Sequence, residues 1–271
     1  MIRRLLSFSC ESDALAASLD EAIGETGVVI VPGGGQTRFG AHRGFALLGA
    51  RLAEAGYPCL RYDRRGVGDS SGEDPGFAAA GPDLSAAVAL LRRERPEIGR
   101  VVGFGLCDGA TTLCLHAADA GLDGMILANP WVVEAEANEP PPAAIGRHYR
   151  EQLTSWAGWK RLLTGGIDCR KALRGAWKLV RPHKSAGSLA ERAAQTMAAN
   201  PLPAHIVLAK DDATAIGFAH EWRRGALATL SGEDRYTIAE IDTDAHSFAH
   251  AGDFERLVES CLAAIRRFED S

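Results

Sequence analysis

The residues with the clearest chemical potential form the segment Gly105-Leu106-Cys107-Asp108-Gly109. An apolar run over 100–104 that predicts a strand precedes it, and a helical pattern over 108–119 follows. In a G-x-nucleophile-x-G turn, the glycines let strand and helix pass closely, and the central side chain projects from the sheet edge. The adjacent helix N-terminus favours a thiolate. The segment therefore predicts Cys107 as a covalent nucleophile, with a buried structural cysteine as the alternative.

A thiol nucleophile needs a base, and the base needs a group that orients it. Asp211 and Asp212 follow a predicted strand over 204–209, and His246 follows one over 236–241. His246 is the preferred base, because His250 already enters the next helix. Asp212 is favoured over Asp211 as the acid, although sequence determines a one-residue register poorly. Either carboxylate could instead cap the helix that follows.

Acyl transfer also requires donors for the oxyanion. The backbone N–H of Asp108 is one predicted donor, and Gly34 or Gly35, in the loop after a predicted strand over 28–31, is expected to supply the second. A phosphate-binding loop is the rival interpretation of these glycines, but neither G-x-G-x-x-G nor a G-K-[ST] ending is present. Candidate residues at the mouth of the site are Gln36, Arg38 and His42, with a capping or surface role as the alternative for the last two.

These residues fall on the turns of an alternating series of strands and helices. Besides the strands already named, strands are predicted over 3–10, 13–19, 59–62 and 125–128, and helices over 42–55, 82–94, 216–228 and 252–268. Such alternation implies right-handed crossovers and a mostly parallel sheet. Residues 134–142, with three consecutive prolines, are typical of a linker, and from about 143 to 199 the pattern is helical without strands. We predict an α/β core over 1–131 and 201–271 and a helical lid over 132–200, whose aromatic residues (Tyr149, Trp156, Trp159 and Trp177) would cover the substrate.

Composition narrows the class of protein. The 271 residues carry a formal charge of −5, and basic residues are not gathered in one tract, which argues against a nucleic-acid binder. The sequence contains no run of eighteen apolar residues, so no membrane span is expected. The histidines lack metal-ligand spacing. A free catalytic thiol fits a reducing cytoplasm. We expect a small-molecule acyl substrate and no metal or other cofactor, and we leave a homodimer open.

Taken together, these motifs resemble the α/β-hydrolase superfamily over nearly the whole chain apart from the insertion. The resemblance rests on Val31 to Gly35, on the segment Y-D-R-R-G-V-G-D-S over 62–70, on the turn at Cys107, and on Asp212 and His246. It implies the chain order nucleophile, acid, histidine. The main departure is Cys where most members have Ser. Dienelactone hydrolases, which this arrangement also resembles, have Cys, Asp and His in the same order.

Shorter motifs are similar to the hydrolases associated with bacterial exosortase systems, which are encoded beside exopolysaccharide and protein-sorting machinery. They are Gly33 to Gln36, His42-Arg43, Gly105 to Asp108, and Asn129-Pro130-Trp131. The loop P-G-G-G departs from the G-G-P-Q typical of that group.

The sequence thus predicts a hydrolase that cleaves an ester or thioester through a Cys107–His246–Asp212 triad and an acyl-enzyme intermediate. A thiolate suits activated acyl groups such as thioesters, lactones and reactive esters. Two alternatives stay open. One is an acyltransferase that uses the same triad to acylate an alcohol or amine, and the other is a non-catalytic member of the fold that binds a ligand or partner.

Overall fold

An eight-stranded sheet organises the part of the chain that the computed structural model describes, residues 2–133 and 187–270. In space the strands follow the order β1-β2-β4-β3-β5-β6-β7-β8. β2 is antiparallel to its neighbours β1 and β4, and the six strands from β3 to β8 pair in parallel. The strands are β1 (Arg3–Cys10), β2 (Asp13–Asp20), β3 (Thr26–Val31), β4 (Cys59–Tyr62), β5 (Arg100–Leu106), β6 (Gly124–Ala128), β7 (Ala204–Ala209) and β8 (Tyr236–Ile241). The predicted α/β fold is confirmed.

Helices cover both faces of the sheet. On one face α1 (Gly44–Glu54) and α6 (Asp253–Glu269) pack on the strands through residues such as Phe45 and Ile265. On the other face lie α2 (Gly81–Glu94), α3 (Asp108–His116), α4 (Leu189–Ala199) and α5 (Ala213–Arg224). Because both faces are covered, the central strands are almost wholly apolar, as β3 illustrates with six buried residues in succession.

Helix ends differ from the sequence prediction where local backbone geometry intervenes. The helix predicted over 42–55 is divided into a 3₁₀ turn (Ala41–Arg43) and α1, because His42 and Arg43 adopt φ values of 51° and 62°. The helix predicted from 216 begins at Ala213, directly after its cap Asp212. It ends at Arg224 and is followed by a short 3₁₀ turn (Ala226–Thr229).

Most of the predicted lid, including Tyr149, Trp156, Trp159 and Trp177, lies outside the described residues. Its last segment is described as α4, which begins with a capping box formed by Ser188 and Glu191. α4 buries Ala193 and Met197 in the same apolar cluster as α3. The stretch from 189 to 199 therefore flanks the sheet as part of the core. Within residues 2–133 and 187–270, no helix has the length and apolarity needed to cross a membrane.

The strand order identifies where a ligand fits. The chain passes from β3 to β4 on one side and then returns to β5 on the other side of β3. At such a reversal, the loops leaving the carboxyl ends of the two central strands diverge and leave a crevice. Val31 pairs with Gly105 across this point, so the loop that follows β3 lies beside Cys107.

Candidate active site

Cys107 occupies the sharp turn between β5 and α3. Its backbone has φ 59° and ψ −123°, a conformation that is strained for a residue with a side chain. The turn depends on close backbone packing, because a Cβ at Gly105 would lie 2.5 Å from the carbonyl carbon of Gly109. A Cβ at Gly109 would in turn lie 2.5 Å from the carbonyl oxygen of Val31. The thiol is thereby held, half-buried, at the carboxyl edge of the sheet.

His246 and Asp212 meet at the same edge. Nδ1 of His246 lies 3.1 Å from Oδ1 of Asp212. The second carboxylate oxygen of Asp212 accepts a hydrogen bond of 3.0 Å from the amide of Ala215 and so caps α5. The orienting and the capping interpretations of this residue are therefore compatible. The side chain of Asp211, by contrast, is exposed, and its amide donates to the carbonyl of Thr243.

The charges of this group reinforce one another. The carboxylate of Asp212, followed by a hydrogen bond with Cys107, raises the pKa of His246 from 6.5 to about 10. Burial is the largest influence on Asp212 and would raise its pKa, but the hydrogen bonds from His246 and from the amide of Ala215, together with the charge of His246, outweigh burial, and the pKa is lowered. The site therefore stabilises an imidazolium between a carboxylate and the Cys107 sulfur. The arrangement can supply a nucleophile and accept or return a proton.

The loop after β3 contacts the side chain of Asp108. The amide of Gly34 donates to Oδ1 of Asp108 at 2.5 Å, and a Cβ at Gly33 would lie 2.4 Å from the same oxygen. Burial raises the pKa of Asp108, although the Gly34 amide and the guanidinium of Arg64 oppose this. Arg64, which is almost fully buried, also donates to the Gly34 carbonyl oxygen. The amide of Gly34, one of the predicted oxyanion donors, is thus hydrogen-bonded to a carboxylate in this structure, and both Gly34 and Gly35 are exposed.

The three candidate mouth residues lie in different environments. His42 is exposed on the 3₁₀ turn before α1. Gln36 is half-buried, and its side-chain oxygen has no hydrogen-bond partner in the described part of the chain. Arg38 is only 8% exposed and forms ion pairs with Asp63 and Asp69. Its charge is therefore used inside the fold, which differs from the expected position at an open mouth.

Two further residues near Cys107 carried no predicted role. The amide of Trp131 donates to the Cys107 carbonyl at 3.2 Å, and its indole packs edge-on against Phe77 with 5.4 Å between ring centroids. Asn129 is fully buried and hydrogen-bonds to the His246 backbone. Both follow β6, whose last residue pairs with Leu106. The sequence signal that could have identified them is their position: a polar and an aromatic residue directly follow β6, and β6 neighbours the strand that leads to Cys107.

Across 2–133 and 187–270, no three His, Cys, Asp or Glu side chains are grouped so that they could hold a metal ion.

Comparisons with known proteins agree with this architecture. The model of the alpha/beta hydrolase family matches residues 28–261. The Pyrococcus furiosus esterase Pf2001 superposes with a TM-score of 0.65 at 15% identity, covering 97% of this chain and 91% of that one. The α/β hydrolase GrgF from Penicillium sp. sh18 gives 0.62 at 17% identity, covering 99% of each chain. XC6422 from Xanthomonas campestris, a serine hydrolase without a lid, gives 0.59 at 15% identity, covering 98% of this chain and 94% of that one. No curated protein matches the sequence.

Proposed function

Because this chain belongs to the α/β hydrolase family, we propose that it cleaves an ester or thioester with Cys107 as the nucleophile. His246 serves as the base, and Asp212 orients it. The observation that carries the proposal is that His246 interacts with both Asp212 and Cys107. The turn backbone at Cys107 adds support, because a strained φ of 59° is retained where function requires it.

The reaction proceeds in two steps. The Cys107 sulfur attacks the substrate carbonyl, a carbon–sulfur bond forms, and the bond to the leaving group breaks. The His246 imidazolium gives its proton to the departing alcohol or thiol. In the second step, neutral His246 takes a proton from water and the hydroxyl oxygen attacks the acyl-enzyme carbonyl. The carbon–sulfur bond then breaks and the carboxylic acid leaves, which restores the Cys107 thiolate beside the His246 imidazolium. Asp212 keeps the imidazole in the orientation that both steps require.

The oxyanion is stabilised by backbone donors at the switch between β3 and β5. The Asp108 amide lies at the N-terminus of α3, where the helix dipole also favours negative charge. The second donor is the Gly34 amide, with Gly35 as the neighbouring choice. Since the Asp108 carboxylate accepts from Gly34 in the structure, the substrate oxygen has to replace that carboxylate.

An activated acyl group is the substrate class that fits a cysteine nucleophile. The backbone of Trp131 is hydrogen-bonded to Cys107 and its indole packs edge-on against Phe77, so we assign the apolar acyl or ring portion of the substrate to this aromatic pair. Esterase is the activity named for Pf2001, a similar structure. Thioesters and lactones extend this class, because a thiolate exchanges readily with such carbonyls.

We also propose a link to exosortase-type systems and a cytoplasmic location. The link rests on the short motifs around Gly33, Cys107 and Asn129 that resemble hydrolases of such systems. The location is supported by five cysteines of the described chain, which are all free thiols. The genes that lie beside this one test the exosortase link. Fractionation of cells that express the protein tests the location.

Covalent labelling tests the nucleophile directly. Wild type, Cys107→Ala and Cys107→Ser are assayed with p-nitrophenyl esters, lactones and acyl-thioesters, and the intact mass is measured after reaction with an acylating probe. We expect one acyl group on the Cys107 peptide of the wild type and neither label nor turnover in Cys107→Ala. Cys114→Ala, which removes a buried thiol in α3, is the matched control and should behave as wild type. Equal labelling and turnover in Cys107→Ala would exclude this mechanism, and product analysis with added alcohols distinguishes acyl transfer from hydrolysis.

A further inference from the structure

Asn129 is a buried amide that belongs to neither the nucleophile turn nor the base turn. It lies one residue beyond β6, is 0% exposed, and has a φ of 42°. Burying an amide is unfavourable unless its donor and acceptor are both satisfied. The structure satisfies them with two backbone groups that are far away in the chain, so the orientation of this side chain is fixed.

The two hydrogen bonds of the Asn129 side chain join the turns that carry the acid and the base. Its Oδ1 accepts from the amide of Ala209, the last residue of β7, at 2.8 Å. Its Nδ2 donates to the carbonyl oxygen of His246, also at 2.8 Å. The carbonyl of Ala209 in turn accepts from the amide of Asp212 at 3.0 Å. One side chain therefore links the backbone of His246 to the turn of Asp212.

The backbone of Cys107 is hydrogen-bonded to the residue directly before Asn129. The amide of Cys107 donates to the carbonyl of Ala128, directly before Asn129, at 3.0 Å. The His246 turn has two further described supports. Phe248, fully buried, donates from its amide to Ala245 at 2.9 Å, and the carbonyl of Thr243 accepts from the amide of Asp211 at 3.0 Å. Asn129 thus supplies a long-range anchor for the base, 117 residues away in sequence.

We propose that Asn129 is a positioning residue that sets where the His246 imidazole meets Asp212 and Cys107. Asparagine suits this task because one short side chain offers a donor and an acceptor at the same time. Aspartate keeps the acceptor for Ala209 but loses the donor to His246, and alanine loses both. The catalytic consequence rests on the proposed function, whereas the effect on the His246 environment does not.

Two variants test the proposal. In Asn129→Ala the His246 carbonyl is released, and the imidazole separates from the titratable groups that interact with it, Asp212 and Cys107. We expect the NMR-measured pKa of His246, identified by the loss of its signal in His246→Gln, to fall from about 10 toward 6.5. Turnover, kcat, should fall about 10- to 100-fold with KM changed less than about threefold, because a small misplacement of a catalytic group costs this much. Asn129→Asp should show the same loss of kcat with the Ala209 bond intact.

Two controls separate positioning from general loosening. Val101→Ala removes buried volume from β5 near the end of the strand opposite Cys107, and Val101 contacts neither Asn129 nor its hydrogen-bond partners. Asn200→Ala removes an amide that donates to the Thr196 carbonyl outside the site. Both should leave the His246 pKa and kcat unchanged within about twofold, even where the Tm falls as in Asn129→Ala.

The proposal is overturned if His246 keeps its pKa in Asn129→Ala, or if kcat of Asn129→Asp stays within about twofold of wild type. Should Asn129→Ala fail to fold, the Asn129→Asp result decides by itself. Turnover that survives in Cys107→Ala would instead refute the proposed function, and the NMR measurement on Asn129→Ala would still test the inference.

Discussion

Replacing Asp212 by asparagine separates the two tasks of this carboxylate. The variant keeps a side-chain oxygen that can accept from the Ala215 amide, and asparagine is a good N-terminal cap, so the stability of α5 should change by less than about 0.5 kcal/mol. It loses the negative charge that faces Nδ1 of His246 at 3.1 Å. Asp212→Ala loses both the charge and the cap, and it should be destabilised by a further ~1 kcal/mol.

The expected size of the catalytic effect follows from how strongly the site favours the protonated form of His246. A pKa that rises from 6.5 to about 10 corresponds nominally to about 5 kcal/mol of preference for the imidazolium, at ~1.4 kcal/mol per tenfold change. The His246 side chain is 37% exposed, so solvent screening reduces this value, and about half is a reasonable allowance. Asp212 is the larger of the two causes. Losing ~2 kcal/mol of transition-state stabilisation slows a reaction roughly 30-fold.

The assay is kcat/KM for a p-nitrophenyl ester, measured from pH 6 to 10 on wild type, Asp212→Asn, Asp212→Ala and Asp211→Asn. We expect losses of about 10- to 100-fold in both Asp212 variants and less than about twofold in Asp211→Asn. Thermal unfolding should distinguish the two Asp212 variants by their stability, whereas their kcat/KM values should be similar. If Asp211→Asn loses more activity than Asp212→Asn, the choice of the acid is wrong. If neither variant loses activity, the ion pair has no catalytic role.

Three other predictions concern the backbone and the charges of the site. Gly105→Ala should be destabilised by about 3 kcal/mol in denaturant unfolding, because its Cβ would overlap the backbone of α3. Gly99→Ala, with no atom within 4 Å of its Cβ, should change stability by less than about 0.5 kcal/mol. Asp108→Ala frees the Gly34 amide and removes a negative charge, so kcat/KM should rise roughly 3- to 10-fold, and a decrease would show that the carboxyl assists the reaction. Since the folded-state pKa of His246 is raised, its stabilising contribution is complete below pH 6.5 and is lost as the pH rises through about 10. Chemical denaturation should therefore show wild type losing stability over this interval relative to His246→Gln.

The strands and the nucleophile turn were predictable because their determinants are local. Short β-branched runs such as 28–31 are bounded by glycines in the sequence, and the observed strand extends from Thr26 to Val31. The turn at Cys107 depends on two flanking glycines and the following helix, all within a few residues. The ends of α1 and α5 were less predictable, because positive φ values at His42 and Arg43 and the cap at Asp212 shift them.

The motif over 62–70 shows a different limit. The sequence marks it as typical of the superfamily but does not reveal its physical role. In the structure Asp63 is fully buried and accepts from the amide and the guanidinium of Arg38 and from the amide of Asp69. A Cβ at Gly68 would lie 2.4 Å from the same carboxylate. The motif is therefore a turn built around a buried carboxylate, and Arg38 is one of the partners of that carboxylate.

By itself, the sequence determined the α/β class and predicted the order of the proposed nucleophile, acid and histidine and the type of each candidate residue, because these depend on patterns that span a few residues. Only the tertiary structure decided which of two adjacent aspartates faces His246, that the Asp108 carboxylate contacts the Gly34 amide, and that Asn129 holds the His246 backbone. These contacts join residues 34, 74 and 117 positions apart. They exist because parallel strands bring the turns at their carboxyl ends to one edge, in an order and register that no local pattern encodes.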